Sequence, residues 1–412
     1  MTLALPVVNP RVAGQVLLKA DFELSDAAIK RLSQIGVNWV WLSYPGLGFL
    51  DKFVSQDVLN AQGPVVKDIT QTFECVQNRS AAKLPYESYT KSIGELVGQL
   101  LANPQATLFM GDLTSSDHPD HALMRHSATV TYLSLLMGLK LEGYLVRQRK
   151  HVDPAQAKEV VQLGIGAMLH DIGVKELDPK VLEAFVQTGQ GDDPWRSHTD
   201  LGYQLVRGKI SSTAATIVLN HHQRYDGSGY GAPDSPPLDG QRTHIFARIV
   251  SLADYFDECC YPATGQRMPA VAALKQLLEP DTLKQFDPQV VRALLTVAPP
   301  YPPGSMLKLS DGRWAAAVDH NPQDPCRPTV QIIPDPANNS DGGDASTGAK
   351  NQSASAANAA KTEKEEPTVG DTIDLSTHDK TLVVTEFEDH DVTGHNFPAP
   401  KIMSESLAGS FL

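Results

Sequence analysis

The sequence predicts a mainly α protein, a helical domain with a small α+β unit before it and a small β unit after it. Three observations carry this. Apolar residues recur at three- and four-residue spacing in five stretches: TVTYLSLLMGL, VVQLGIGAMLH, TAATIVLNHH, HIFARIVSLADYF and PAVAALKQLL. Strand-like runs fall outside that region, at both ends of the chain. The chain has 412 residues, 41% of them hydrophobic, enough for one large core and two or three domains.

Residues 1–112 read as an N-terminal α+β accessory domain. QVLLKADFEL is strand-like. LSDAAIKRLSQIG is a helix capped by Ser25, with an apolar face of Ile29, Leu32 and Ile35 and a stop at Gly36. VNWVWLSY reads as a strand pairing back with the first, and FECVQNRSAAKLPYESYTKSIGELVGQLLAN as a broken helix ending near Pro104. Residues 113–300 form the helical domain, with APDSPPLDG as a loop between two helices. In 301–334, Ser310-Asp311-Gly312 marks a hairpin turn and RPTVQII a third strand. Residues 335–369 are rich in Asn, Ser, Gly, Ala and charge and predict a disordered linker, because they bury too little apolar surface to offset ordering entropy. Residues 370–412 regain a strand around Leu382, Val383 and Val384, which would complete the β unit across the insertion, and end in a loose tail.

The formal net charge of −13 argues against a nucleic-acid polymer as partner, since the global field repels phosphates. No run approaches the roughly 18 apolar residues of a membrane helix. The N-terminus has no basic flank of the kind that precedes a leader. The four cysteines show no CxxC spacing and read as reduced thiols. A cytoplasmic protein without a membrane partner is the expectation.

The chemistry concentrates in the helical domain. His170-Asp171 lies on an apolar helix, where a buried carboxylate needs a cation or strong donors. His221-His222 ends another apolar helix and meets a Gly-rich turn. His126 is placed at the start of one helix and His198 before another. Asp254 sits among Val250, Leu252, Ala253 and Phe256, so it is either paired, with Arg248 as the nearest cation, or bound to a metal. Each residue alone fits an ordinary cap or a satisfied core group. Together they offer a mixed imidazole and carboxylate set that suits transition metals better than calcium, with too many donors for one tetrahedral zinc and enough for two ions.

This order of residues, with HHQRYDGSGYG and then ARIVSLADYFDE, resembles the HD superfamily of metal-dependent phosphohydrolases, and within it the HD-GYP subfamily of cyclic di-GMP phosphodiesterases, over roughly residues 113–300. The resemblance implies a two-metal site, iron or manganese favoured. His126, His170, Asp171 and Asp254 would surround one ion, and Asp171, His198, His221 and His222 the other, with Asp171 bridging. It implies hydrolysis of cyclic di-GMP to pGpG and/or GMP in bacterial second-messenger signalling, with His170 and Asp171 as the catalytic signature pair. Lys175, Arg224, Asp226, Gly227, Gly229, Tyr230 and Arg248 are the candidate substrate contacts, and the GYP-like loop a candidate protein-partner surface. Three positions depart from the family pattern. Val174 stands where a lysine is usual, Gly231 where proline is usual, freeing φ, and Ala122 where some members carry a glutamate for a third metal. A catalytically weak or inactive module that binds a cyclic dinucleotide or a protein is therefore the alternative, and an HD enzyme for another nucleotide is a third.

Overall fold

The computed structural model describes the chain apart from residues 10–14, 36, 38–39, 44–46, 49–52, 54, 78–83, 105–118, 190, 192, 233–235, 265, 336–367 and 405–412. The stop at Gly36, nearly all of the expected linker and most of the expected tail lie outside the described residues.

The fold is mainly α. The N-terminal unit holds two short antiparallel pairs and a helix. Strand β1 (Thr2–Leu3) pairs with β4 (Leu42–Ser43), and β2 (Val7–Val8) with β3 (Val16–Leu18). The VNWVWLSY strand thus joins Thr2–Leu3 and not QVLLK, a correction to the expected pairing. Helix α1 (Asp26–Gln34) begins where Ser25 Oγ accepts from the Ala28 N–H. Leu3, Val7 and Leu32 make a small core of their own.

Helices α2 (Gln56–Gln77) and α3 (Tyr86–Ala102) pack on each other. α2 begins well before the FECVQ stretch and carries Pro64 inside it. Their apolar faces, Ile69, Phe73, Ile93 and Leu96 among them, belong to the same continuous core as the helices that follow.

The helical body is built on α4 (Pro119–Lys140) and α7 (Val161–Leu169), which pack together, with α5 (Glu142–Gln148) and α6 (Pro154–Lys158) between them in the chain. α7 is buried over most of its length, which explains its all-round apolar sequence. A 3-10 turn, Ile172–Glu176, then leads to α8 (Pro179–Thr188), α9 (Asp193–Arg196), α10 (His198–Val206) and α11 (Ser212–Asn220). α12 (Ile245–Cys260) packs along α4, followed by α13 (Ala270–Leu277), α14 (Pro280–Leu283) and α15 (Pro288–Val297).

The C-terminal unit is one six-stranded antiparallel sheet. β5 (Met306–Leu309) and β6 (Trp314–Asp319) form the expected hairpin, and β7 (Thr329–Ile333) is its third strand. β8 (Thr372–Asp374), β9 (Val384–Phe387) and β10 (His390–Asp391) come from beyond residue 367 and complete the sheet in the order β10-β9-β5-β6-β7-β8. A last helix, α16 (Lys401–Ser404), follows. None of the four cysteines forms a disulfide. No helix among the described residues is long and apolar enough to cross a membrane.

Candidate metal centre

Three of the histidines sit at helix junctions, and the junction aims each ring. His170 follows the last residue of α7, and its Nδ1 donates to the Ala167 carbonyl at 2.7 Å. His198 Nδ1 donates to the Trp195 carbonyl in α9 at 2.7 Å, and His221 Nδ1 to the Val218 carbonyl in α11 at 2.9 Å. Each bond ends on a carbonyl near a helix end, where carbonyls have spare acceptor capacity. A carbonyl only accepts, so each Nδ1 carries the proton and each Nε2 presents a bare lone pair.

Those lone pairs converge. His198 Nε2 lies 3.3 Å from His221 Nε2, and His126 Nε2 lies 3.2 Å from His170 Nε2. Asp171 stands between the two pairs. Its Oδ1 is 3.5 Å from both His198 Nε2 and His221 Nε2, and its Oδ2 is 3.5 Å from His170 Nε2 and 3.7 Å from His126 Nε2. Asp254 Oδ1 faces His126 Nε2 at 3.2 Å and His170 Nε2 at 3.8 Å. Its Oδ2 lies 3.5 Å from His222 Nδ1 and is a buried oxygen without a hydrogen bond. Asp171, His198, His221 and His222 each offer one ligand atom within 4.8 Å of the others, and so do His126, His170 and Asp171. All seven side chains chosen from the sequence therefore meet in one place. Facing lone pairs and an orphaned buried carboxylate oxygen are unfavourable unless positive charge lies between them, so the donor set fits divalent cations.

The electrostatics agree. Burial pushes His170 down to about 4 and holds His198 and His222 below the ordinary imidazole value, so these rings stay neutral. Burial would raise Asp171 and Asp254, but the surrounding imidazoles overcome it and keep both carboxyls well below the usual range. His126 goes the other way. Burial lowers it, yet Asp254 and Asp257 outweigh that and hold it well above 6.5.

Local packing brings the ligand elements together. Gly173, in the 3-10 turn after Asp171, lies against the start of α10. A Cβ there would sit 2.0 Å from the His198 carbonyl oxygen and 2.4 Å from Gly202 N. The turn bearing Asp171 can approach the helix bearing His198 only because this residue has no side chain.

The remaining candidates divide. Tyr230 stacks on His222, with ring centroids 4.8 Å apart, and Arg196 lies over the Tyr230 ring at 5.1 Å. The loop that carries it folds back on the histidine pair, Tyr230 N donating to the His222 carbonyl at 3.1 Å. Gly227 takes a left-handed φ of +83°, and a Cβ at Gly229 would meet the His222 carbonyl oxygen at 2.2 Å. Asp226 is exposed and accepts from Ser228 N and Oγ within its own turn. Arg224 is half-buried, bonded to Ser251 Oγ, with its guanidinium 5.2 Å over the Phe286 ring. Lys175 is half-buried in the 3-10 turn.

Arg248 is a correction. It pairs with neither Asp254 nor Asp257 but with buried Asp287, and also donates to Gln148 and Tyr144. His126 is a second correction: it lies two turns inside α4, because that helix starts at Pro119. Gly231 is a third. It adopts no left-handed φ, and its lack of a side chain serves packing, since a Cβ would meet Gln223 Nε2 at 2.5 Å and Asn220 Oδ1 at 2.9 Å. Val174 is buried with Leu177 and Trp195, so the usual lysine position is here part of an apolar cluster.

Sequence reasoning missed Asp257. It accepts from His126 Nδ1 at 2.7 Å and from both terminal nitrogens of Arg125 at 3.0 and 3.2 Å. Its signal was the three-residue spacing from Asp254, which puts both carboxylates on one face of α12.

A helical body with a buried His/Asp cage suited to divalent cations defines the class, and residues 123–259 match the HD domain family model. The chain is 26% identical over 248 residues to the cyclic di-GMP phosphodiesterase PA4108 of Pseudomonas aeruginosa, which covers 58% of this chain and 54% of that protein. It is 34% identical over 142 residues to the cyclic di-GMP phosphodiesterase response regulator RpfG of Xanthomonas campestris pv. campestris, covering 34% of this chain and 36% of that one. The chain thus spans about half the length of the first relative and about a third of the second. Among solved structures, the HDG"Y"P protein Bd1817 of Bdellovibrio bacteriovorus is similar over 72% of this chain and 95% of its own, at 20% identity and a TM-score of 0.43.

Proposed function

We propose that this protein hydrolyses the phosphodiester bonds of cyclic di-GMP to pGpG and/or GMP at a two-metal site, in bacterial signalling. The observation that carries the metal chemistry is the His198 and His221 pair, whose protonated Nδ1 atoms leave two bare Nε2 atoms 3.3 Å apart. The names of the relatives supply the substrate. His126, His170, Asp171 and Asp254 would hold one ion and Asp171, His198, His221 and His222 the other, with iron or manganese favoured by the family resemblance.

Bound there, such ions polarise a phosphoryl oxygen and lower the pKa of a nearby water. The chain's own residues position the reactants. Backbone-anchored His170, His198 and His221 hold their Nε2 atoms without a rotamer search. Asp171 turns one oxygen to each half of the site. Tyr230, fixed against His222, forms a wall on which a guanine would stack. Arg224 supplies a cation for a nonbridging phosphate oxygen, and Lys175, Asp226, Gly227 and Gly229 shape the approach. Arg248 is not part of this proposal, since its two terminal nitrogens are engaged with Asp287, Gln148 and Tyr144.

The buried Val174 favours a second reading, a module that binds cyclic dinucleotide or a protein at the GYP-like loop without turnover. Metal analysis of anaerobically purified protein, followed by chromatography of products from cyclic di-GMP and a panel of other cyclic dinucleotides, separates the two. Turnover abolished by His170→Ala and Asp171→Ala supports the enzyme. Metal-loaded protein that binds but cleaves no cyclic dinucleotide selects the binding module.

A further inference from the structure

The histidines of the two half-sites are not supported alike. His170, His198 and His221 donate Nδ1–H to uncharged backbone carbonyls. His126 alone among these donates to a carboxylate, Asp257 Oδ2, at 2.7 Å. Asp257 is 2% exposed and is itself clamped by Arg125 through two bonds of 3.0 and 3.2 Å. The Arg125 guanidinium lies 3.6 Å over the Tyr261 ring, which fixes the clamp from the other side. A carboxylate acceptor draws the Nδ1 proton toward itself and makes Nε2 a stronger donor, and it locks both tautomer and ring orientation. The half-sites also differ in charge. Asp171 and Asp254 both face the Nε2 atoms of His126 and His170, whereas Asp171 alone faces those of His198 and His221, and Asp254 reaches that half only through Oδ2, 3.5 Å from His222 Nδ1.

We propose that Asp257 is a positioning residue that makes the two metal positions unequal, the His126, His170, Asp171 and Asp254 position holding its ion more tightly than the His198, His221 and His222 position. The inference rests on the metal reading of the site and is independent of the substrate. Asp257 touches no candidate reacting atom. It acts through His126, as Arg125 acts through Asp257.

The test uses the full chain and Mn2+ alone. Metal-stripped protein is titrated with Mn2+, free ion is followed by electron paramagnetic resonance, and removal is followed against a graded chelator series. Wild type should bind two ions of different affinity. His198→Gln should retain one tight ion and His126→Gln one weaker ion, at least about tenfold apart. Asp257→Asn, close to isosteric, should weaken the tight position by roughly 10–100-fold and leave the weak one unchanged. A merely structural role would move both constants together. Equal affinities in wild type, or an Asp257→Asn change shared by both positions or absent from both, overturns the proposal. If Asp257→Asn does not fold, the His126→Gln and His198→Gln comparison decides, and a tighter ion in His126→Gln overturns it. No Mn2+ binding by wild type refutes the metal reading as well. Two equivalent ions refute only the inequality.

Discussion

Gly173→Ala tests whether the metal cage depends on the close approach of two backbone segments. The added Cβ would stand 2.0 Å from the His198 carbonyl oxygen and 2.4 Å from Gly202 N, where real Cβ contacts stay beyond 3.0 Å. The obstacle is backbone, so no side-chain rotation relieves it. The 3-10 turn and α10 must part by roughly 1 Å, and overpacking of this kind costs about 1–3 kcal/mol. The upper end is expected here, because the displaced segments also carry Asp171 and His198, whose oxygen and nitrogen are 3.5 Å apart. Gly98→Ala is the control. Gly98 lies in α3 with open space around a Cβ, so that change should stabilise by about 0.5–1 kcal/mol. Urea unfolding measures both, and metal analysis measures the cage. Gly173→Ala should lose about 2–3 kcal/mol and at least one ion per chain. Wild-type stability with full metal content in Gly173→Ala would refute the reasoning.

Other predictions follow from the same geometry. Metal-free protein should lose stability as pH falls from 6.5 to 4. His170, held near 4 when folded, takes its proton in the unfolded chain first, a cost of roughly 3 kcal/mol at the acid end. His126 has the opposite shift, so its contribution is already complete below 6.5 and does not offset this slope, and it is lost as pH rises through its raised value. A flat profile for chelator-treated protein in urea melts between pH 6.5 and 4 would contradict this assignment. Asp287→Asn keeps the cap on α15 but leaves buried Arg248 unpaired, so it should cost about 3 kcal/mol in urea melts with unchanged metal content. Gly231→Pro should lower thermal stability by about 1–3 kcal/mol, because its Cβ meets Gln223, which is held by accepting from Leu238 N. Equal melting temperatures would show that Gln223 gives way.

Most of the candidate site was legible in the sequence, because the candidate ligands break their surroundings. Asp254 interrupts an apolar helix, and His170-Asp171 and His221-His222 each end one. Asp257 was less legible. It sits one residue from the charged neighbour Glu258, and its value lies in a partner, His126, far away in the chain. Arg248 misled for the complementary reason: Asp254 and Asp257 are near it in sequence, while its real partner Asp287 arrives from another helix. The start of α4 was overlooked because Arg125-His126 separates Leu123 and Met124 from the longer apolar run that follows, although Pro119 was a valid opening signal. The β5-β6 hairpin was readable from Ser310-Asp311-Gly312, where Gly312 takes a φ of +87°. The burial of Val174 against Trp195 was not readable, since Trp195 is brought in by α9.

The sheet has one more consequence. The chain after residue 367 supplies β8 alongside β7 and β9 alongside β5, so a single late segment closes both flanks of the β5-β6-β7 meander. A chain truncated before that point would leave two rows of unpaired amide and carbonyl groups beside Leu307, Leu309, Val330 and Ile332, a ready template for strand exchange between copies. In the full chain the edges are instead β8 and β10, strands of three and two residues that offer a much shorter template.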